Sequence, residues 1–210
     1  MIFKICGLKE KTSLLCCATN KVDFFGMVFY EKSPRNITFD EAKNLINFSK
    51  NLTIKPVGVF VNHDIYDLKK IITSLELKYI QLHGDENQSY IDEIKNEFKL
   101  KIIKKLSIKT VDDLKNINYF KNIDYLLFDY KPQINELPGG NSKIFDWSLL
   151  KGQKIELPWF ISGGINESNI KNIQKLINPN GIDLSSGVEE SKGIKSNIKI
   201  NNLFRKFYDN

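Results

Sequence analysis

The chain has 210 residues, 41% of them hydrophobic and 27% charged, which excludes disordered and collagen-like classes and suits little more than one domain. No run approaches the ~18 apolar residues of a membrane-crossing helix, and residues 1–11 lack the charged start and long apolar run of a secretory signal. Lys and Arg number 31 against 25 Asp and Glu, a net charge of +6, but only Arg35 and Arg205 are arginines and the lysines are scattered. That distribution reads as a solvated surface and not as a nucleic-acid-binding stripe, which clusters Arg and Lys with aromatics.

Short apolar, β-rich runs recur in chain order at 2–6, 24–29, 57–61, 79–82, 102–106, 125–128, 159–161 and 182–184. They are too continuous for half-exposed antiparallel strands and suit a sheet buried on both faces. Helical spacing fills the intervals at 11–18, 39–51, 66–75, 90–98, 111–120, 147–150, 169–176 and 198–208. Thr38 before Phe39-Asp40-Glu41 and Thr110 before Val111-Asp112-Asp113 are helix-start signals.

Eight strands alternating with eight helices predict an α/β fold, a single (β/α)8 TIM barrel over residues 1–210. At about 26 residues per unit it is compact beside the roughly 250 residues typical of such barrels. A doubly wound open sheet competes, but it usually has fewer strands and often a glycine fingerprint in its first βα turn, which this chain lacks. The stretch 130–141, with Pro132, Pro138 and Gly139-Gly140, reads as a mobile loop after the sixth strand. Cys6, Cys16 and Cys17 cannot all pair and follow no metal-ligand spacing, which favours a reducing cytoplasm and no structural zinc.

A barrel carries its chemistry at the C-terminal ends of its strands, and the unusual residues collect there. Ser162-Gly163-Gly164 follows the seventh strand and Ser185-Ser186-Gly187 the eighth, the recurrent phosphate position of barrel enzymes. Glycine admits an anion close to backbone N–H groups and serine adds donors; the plain alternative is a pair of loop turns and caps. Cys6 ends the first strand, either as an inert buried thiol or as a reactive one. An inward Lys4 beneath it favours the thiolate, lowering its pKa from about 8.5, unless an interior carboxylate pairs that lysine.

Asp129 follows Leu126-Leu127-Phe128, where desolvation raises a carboxyl pKa toward neutrality; pairing with Lys131 is the alternative. A thiolate base and a carboxylic acid flanking a sugar suit aldose–ketose isomerisation. Arg35, in a lysine-dominated chain, suits bidentate contact with a carboxylate, against an ordinary surface arginine. His83 either bonds a substrate or caps the fourth helix, and His63 reads as a loop or capping residue. Asp183 either faces the interior site or pairs with a lysine, and Cys16 and Cys17 read as packing residues.

The motifs Lys4-Ile5-Cys6-Gly7-Leu8, Ser33-Pro34-Arg35, Gln81-Leu82-His83-Gly84-Asp85-Glu86, Phe128-Asp129, Phe145-Asp146-Trp147, Ser162-Gly163-Gly164-Ile165 and Asp183-Leu184-Ser185-Ser186-Gly187-Val188-Glu189 occur in order. Together they resemble the phosphoribosylanthranilate isomerase family of tryptophan biosynthesis. The resemblance implies a metal- and cofactor-free (β/α)8 enzyme that performs an Amadori rearrangement. Its substrate is a small phosphosugar, N-(5-phospho-β-D-ribosyl)anthranilate, and its product 1-(2-carboxyphenylamino)-1-deoxy-D-ribulose 5-phosphate. It implies Asp129 as general acid on the ring oxygen, Cys6 as base on the C2 proton, and Arg35 on the anthranilate carboxylate. Gly163, Gly164, Ser185, Ser186 and Gly187 would hold the phosphate, and His83 and Asp183 would shape the substrate site. The family commonly reads Gly-Gly-Thr-Gly where this chain has Gly139-Gly140-Asn141-Ser142; Asn141 can replace the threonine's hydrogen bond and tolerate a positive φ. The length suits a stand-alone enzyme, not a fusion with indole-glycerol-phosphate synthase, with no nucleic-acid or membrane partner. A histidine-pathway-like isomerase and a non-catalytic phosphate-ligand or RNA-binding barrel are the competing readings; the former would show a half-to-half repeat, absent here.

Overall fold

All six residues of Phe24–Phe29 are buried, as a strand covered on both faces requires. The computed structural model describes residues 1–141 and 143–209; Ser142 and Asn210 lie outside the described residues. The strands are β1 (Ile2–Cys6), β2 (Phe24–Phe29), β3 (Lys55–Phe60), β4 (Tyr79–Leu82), β5 (Lys101–Ile108), β6 (Tyr125–Tyr130), β7 (Trp159–Ile161) and β8 (Gly181–Leu184). Each pairs in parallel with the next, and β1 pairs with β8 through Ile2↔Gly181 to Ile5↔Leu184, closing the barrel. Closure rules out the open-sheet alternative.

Side-chain alternation divides the apolar residues into two packed sets. Phe3, Ile5, Phe25 and Met27 face outward into the layer beneath the helices. Phe24, Val28, Val57, Val59, Ile103, Leu127 and Phe160 fill the barrel interior together with Cys6. Four aromatics build its floor: Phe24 meets Tyr79 at 4.9 Å and Phe160 at 6.4 Å between ring centroids, and Tyr125 meets Phe160 at 5.6 Å. Every strand runs the same way, so later residues on each strand lie nearer the mouth. Polar chemistry therefore sits above an apolar plug.

The helices are α1 (Lys11–Thr19), α2 (Phe39–Ser49), α3 (Ile65–Ser74), α4 (Gln88–Glu97), α5 (Ile170–Leu176) and α6 (Asn197–Tyr208). The Thr38 signal holds: the Glu41 N–H donates to its hydroxyl, and the Thr38 N–H donates to the Glu41 carboxylate at 2.7 Å. The helix expected at 111–120 shrinks to a 3-10 segment, Val111–Asn116, although the Thr110 N–H still donates to Asp113 at 2.9 Å. Tertiary partners compete for the rest: the Asn118 amide donates to the Lys154 carbonyl, and the Lys121 N–H to the Gln88 side chain. Trp147–Leu150 is a single 3-10 turn with Asp146 accepting from the Ser148 N–H. A short antiparallel hairpin after β8, β9 (Glu189–Ser191) with β10 (Ile194–Lys195), has no counterpart in the sequence pattern.

Phe160 is fully buried at the centre of the floor. Phe160→Ala is expected to cost about 3–5 kcal/mol in equilibrium denaturation. A loss below about 1 kcal/mol would show that the floor repacks around the cavity.

Candidate active site

A cleft partly open to solvent lies at the C-terminal mouth and is lined by Cys6, Arg35, His83, Asp129, Gly163, Gly164, Asp183, Ser185 and Ser186. Eight parallel strands ending in one ring bring these distant residues together. Gly187 is the expected site residue that does not line it. A Cβ there would come within 1.9 Å of the Ile165 carbonyl oxygen, so glycine lets the loops after β7 and β8 pack against each other. Gly163 and Gly164 adopt φ of +89° and +64°, turning the first of these loops.

Asp129 lies inside β6, 7% exposed, and accepts from the Tyr130 N–H at 2.8 Å. Burial pushes its carboxyl up to about 6, against the pull of Lys105, the Tyr130 N–H and the Ser162 hydroxyl. The alternative partner is engaged elsewhere: Lys131 pairs with Asp113 at 2.5 Å. His83 Nε2 faces Asp129 at 3.5 Å, while the Gln81 amide nitrogen donates to His83 Nδ1 at 2.7 Å. Burial, then Lys105, Lys4 and Lys104, hold His83 well below its ordinary pKa, so it is a neutral hydrogen-bond donor. It does not cap α4; Asn87 does, accepting from the Tyr90 N–H. His63 lies in the loop before α3, its carbonyl accepting from the Tyr90 hydroxyl.

Lys4 points inward beneath Cys6 but is paired, its amine donating to Asp183 at 3.0 Å. The alternative with an interior carboxylate holds: Lys4 is paired with Asp183, so burial pushes the Cys6 thiol up and Lys4 offsets this only in part. Asp183 thus lines the cleft and also takes the lysine partner. Arg35 does grip a carboxylate with its fork, but the protein's own. Its Nε and Nη2 donate to the two oxygens of Glu189 at 2.7 and 2.8 Å. Only the Nη1 edge makes no hydrogen bond among the described residues, and it lies against Gly140.

Leu137, Pro138, Gly139, Gly140 and Asn141 of the loop after β6 form one wall. Positive φ falls on Gly140, at 71°, and not on Asn141, whose amide instead donates to the Leu137 carbonyl at 2.7 Å. Cys16 is half-buried and Cys17 fully buried, as packing residues on α1.

Sequence reasoning missed Lys105, Glu189 and Lys195. The signal for the first was present: two lysines inside Ile102-Ile103-Lys104-Lys105-Leu106 must point to opposite faces of β5, and one must enter the barrel. Lys104 turns outward to Glu86 at 2.7 Å; Lys105 is the inward one, 5% exposed, its amine donating to Ser107 at 2.7 Å. Ser107 is the register partner of Asp129. Glu189 was visible only as part of a motif, and nothing distinguishes Lys195 among so many lysines.

A carboxyl held near neutrality, a thiol in the same cleft and glycine-serine loops at the seventh and eighth strands define a (β/α)8 enzyme of acid–base chemistry on an anionic substrate. The sequence model of N-(5'-phosphoribosyl)anthranilate (PRA) isomerase matches residues 3–206. A relative from Paramagnetospirillum magneticum, named N-(5'-phosphoribosyl)anthranilate isomerase, is 38% identical over 94% of this chain and 92% of its own. The crystal structure of phosphoribosyl anthranilate isomerase from Thermotoga maritima superimposes with a TM-score of 0.86 at 28% identity, covering 98% of both chains. A crystal structure of a phosphoribosyl anthranilate isomerase in complex with reduced 1-(o-carboxyphenylamino)-1-deoxyribulose 5-phosphate gives 0.84 at 27% identity, again over 98% of both. The chain belongs to the N-(5'-phosphoribosyl)anthranilate isomerase family and is an isomerase of tryptophan biosynthesis.

In a carbon-13 NMR titration the Asp129 carboxyl is expected to titrate near 6. Lys105→Met is expected to move it higher, because the lost cation favoured the carboxylate. Titration at about 4, the ordinary carboxylate value, would contradict this account of the site.

Proposed function

We propose that the cleft rearranges N-(5'-phosphoribosyl)anthranilate to 1-(2-carboxyphenylamino)-1-deoxyribulose 5-phosphate, with Asp129 as acid and Cys6 as base. The observation that carries this assignment is Asp129 itself, buried at the mouth and pushed up to about 6, in the same cleft as a thiol on the strand that closes the ring. Neutral Asp129 gives its proton to the furanose ring oxygen, the C1–O bond breaks, and the anthranilate nitrogen forms a Schiff base with C1. Cys6 as thiolate removes the C2 proton, and the resulting enolamine tautomerises to the ketone. The Schiff base carries a positive charge that, with Lys4, favours the thiolate which burial alone opposes. His83, neutral, donates toward Asp129 or the substrate oxygen it has just protonated. Gly163, Gly164, Ser185 and Ser186 receive the phosphate, the Arg35 Nη1 edge the anthranilate carboxylate, and Asp183 holds Lys4 beneath the thiol. Gly187 serves by bringing the two phosphate loops together.

We assign the enzyme to the cytoplasm, without nucleic-acid or membrane partners. The free thiols of Cys6, Cys16 and Cys17 support this. So does the way surface lysines are met by acids, as in Lys69 with Glu93 and Glu97 and Lys101 with Asp124. No helix among the described residues is long and apolar enough to cross a membrane.

Supplied with N-(5'-phosphoribosyl)anthranilate, the purified protein is expected to deplete the substrate's fluorescence. Cys6→Ala and Asp129→Ala are each expected to lower turnover at least about a hundredfold. Wild-type turnover in either variant would remove that residue from the chemistry.

The pH dependence follows from the order of the two ionisations. Because the acid has the lower pKa and the base the higher, the productive pair is the minor ionisation state between them. Below the pKa of Asp129 thiolate grows scarcer with each proton added, and above that of Cys6 the protonated acid does. kcat/KM is therefore expected to rise with pH up to about 6, level off, and fall only above the thiol's raised pKa. A profile falling from pH 6 upward would contradict this order of the two ionisations.

A further inference from the structure

The hairpin of β9 and β10 carries Glu189, a buried carboxylate on which three groups converge. Arg35 donates twice, Lys195 Nζ donates at 2.7 Å, and the Gly193 N–H donates at 3.2 Å. Although burial works against the charged form, Arg35 and Lys195 hold this carboxyl at about 2, so it remains ionised. Lys195 is itself buried, and its amine also donates to the Ser185 carbonyl at 3.1 Å and hydroxyl at 3.4 Å. Ser185 in turn donates to the Cys6 carbonyl at 3.2 Å. A continuous chain of contacts thus runs from Arg35 through Glu189 and Lys195 to Ser185.

Two buried cations, Arg35 and Lys195, share this one carboxylate, and among the described residues neither pairs with another acid. That arrangement is costly without an anion to complete it. Arg35 has two of its three nitrogens committed, so the guanidinium cannot swing, and it offers one fixed edge over Gly140. We infer that Glu189 is a positioning residue for the substrate: it locks Arg35 with only the Nη1 edge available and, through Lys195, ties that edge to Ser185. One buried carboxylate thereby sets the separation of the points that receive the two anionic ends of the substrate. This rests on the assignment of Arg35 to the carboxylate and Ser185 to the phosphate.

The test compares steady-state kinetics on N-(5'-phosphoribosyl)anthranilate for Arg35→Ala, Glu189→Gln and the double variant, with thermal melts of each. Glutamine keeps the shape of Glu189 but loses its charge and presents an NH2 to one of its donors. Glu189→Gln is expected to raise KM at least about tenfold, with a smaller change in kcat. The double variant is expected to raise KM by less than the product of the two single effects, because both changes remove the Arg35 contact. A wild-type KM in Glu189→Gln, with KM raised in Arg35→Ala, would overturn the positioning role alone. A wild-type KM in Arg35→Ala would overturn the assignment beneath it as well. Additive effects in the double variant would reduce Glu189 to a structural role. If Glu189→Gln does not fold, Glu189→Asp decides: it keeps the charge one methylene short, and an intermediate rise in KM is expected, whereas a wild-type KM would overturn the proposal.

Discussion

Lys4 and Asp183 are register partners across the seam where the first strand meets the last, and 179 positions of chain separate them. Everything at the mouth depends on that closure. It places a buried ammonium beneath Cys6, sets Ser185 against the Cys6 carbonyl, and completes the ring of strand ends around the cleft. The buried pair is poor evidence for stability, since desolvating two charges consumes most of their attraction. Its consequence is electrostatic: a lysine neutralised by Asp183 moderates a thiol that would otherwise be still harder to ionise.

Three buried acids near one cleft differ because their neighbours differ. Among the described residues Asp129 has no lysine or arginine in direct contact, and burial dominates, so its carboxyl is pushed up to about 6. Asp183 holds one lysine at 3.0 Å. Glu189 accepts from an arginine and a lysine and remains ionised throughout the working range of pH. The proposed proton donor, the partner of a lysine and the anchor of a guanidinium are the same functional group in different surroundings. His83 follows the same logic, since burial among three lysines keeps it neutral and fit to donate a hydrogen bond without carrying charge.

The barrel was legible because its strands are short, continuous apolar runs with turns between them. That pattern is imposed by burial on both faces and leaves little freedom of interpretation. The 111–120 segment was not, because its weak local helix preference lost to hydrogen bonds from Asn118 and Lys121 to distant partners. The site was legible wherever a residue was unusual for its place: a thiol at a strand end, a carboxylate after Leu-Leu-Phe, an arginine among lysines, glycines after the last two strands. Gly187 packs against the loop after β7, a use its sequence could not show, because a glycine signals backbone freedom without saying whether a ligand or another loop makes use of it.

By itself the sequence determined the order of strands, the residues at their ends and the family, since these follow from local pattern and from short motifs in register with it. Tertiary structure alone decided the partners. Arg35 grips Glu189, 154 positions away, and Lys4 is divided between Cys6 and Asp183. Lys105, and not Lys104, enters the barrel. Charge states and partners depend on distances through space, and distances between remote residues exist only once the ring has closed.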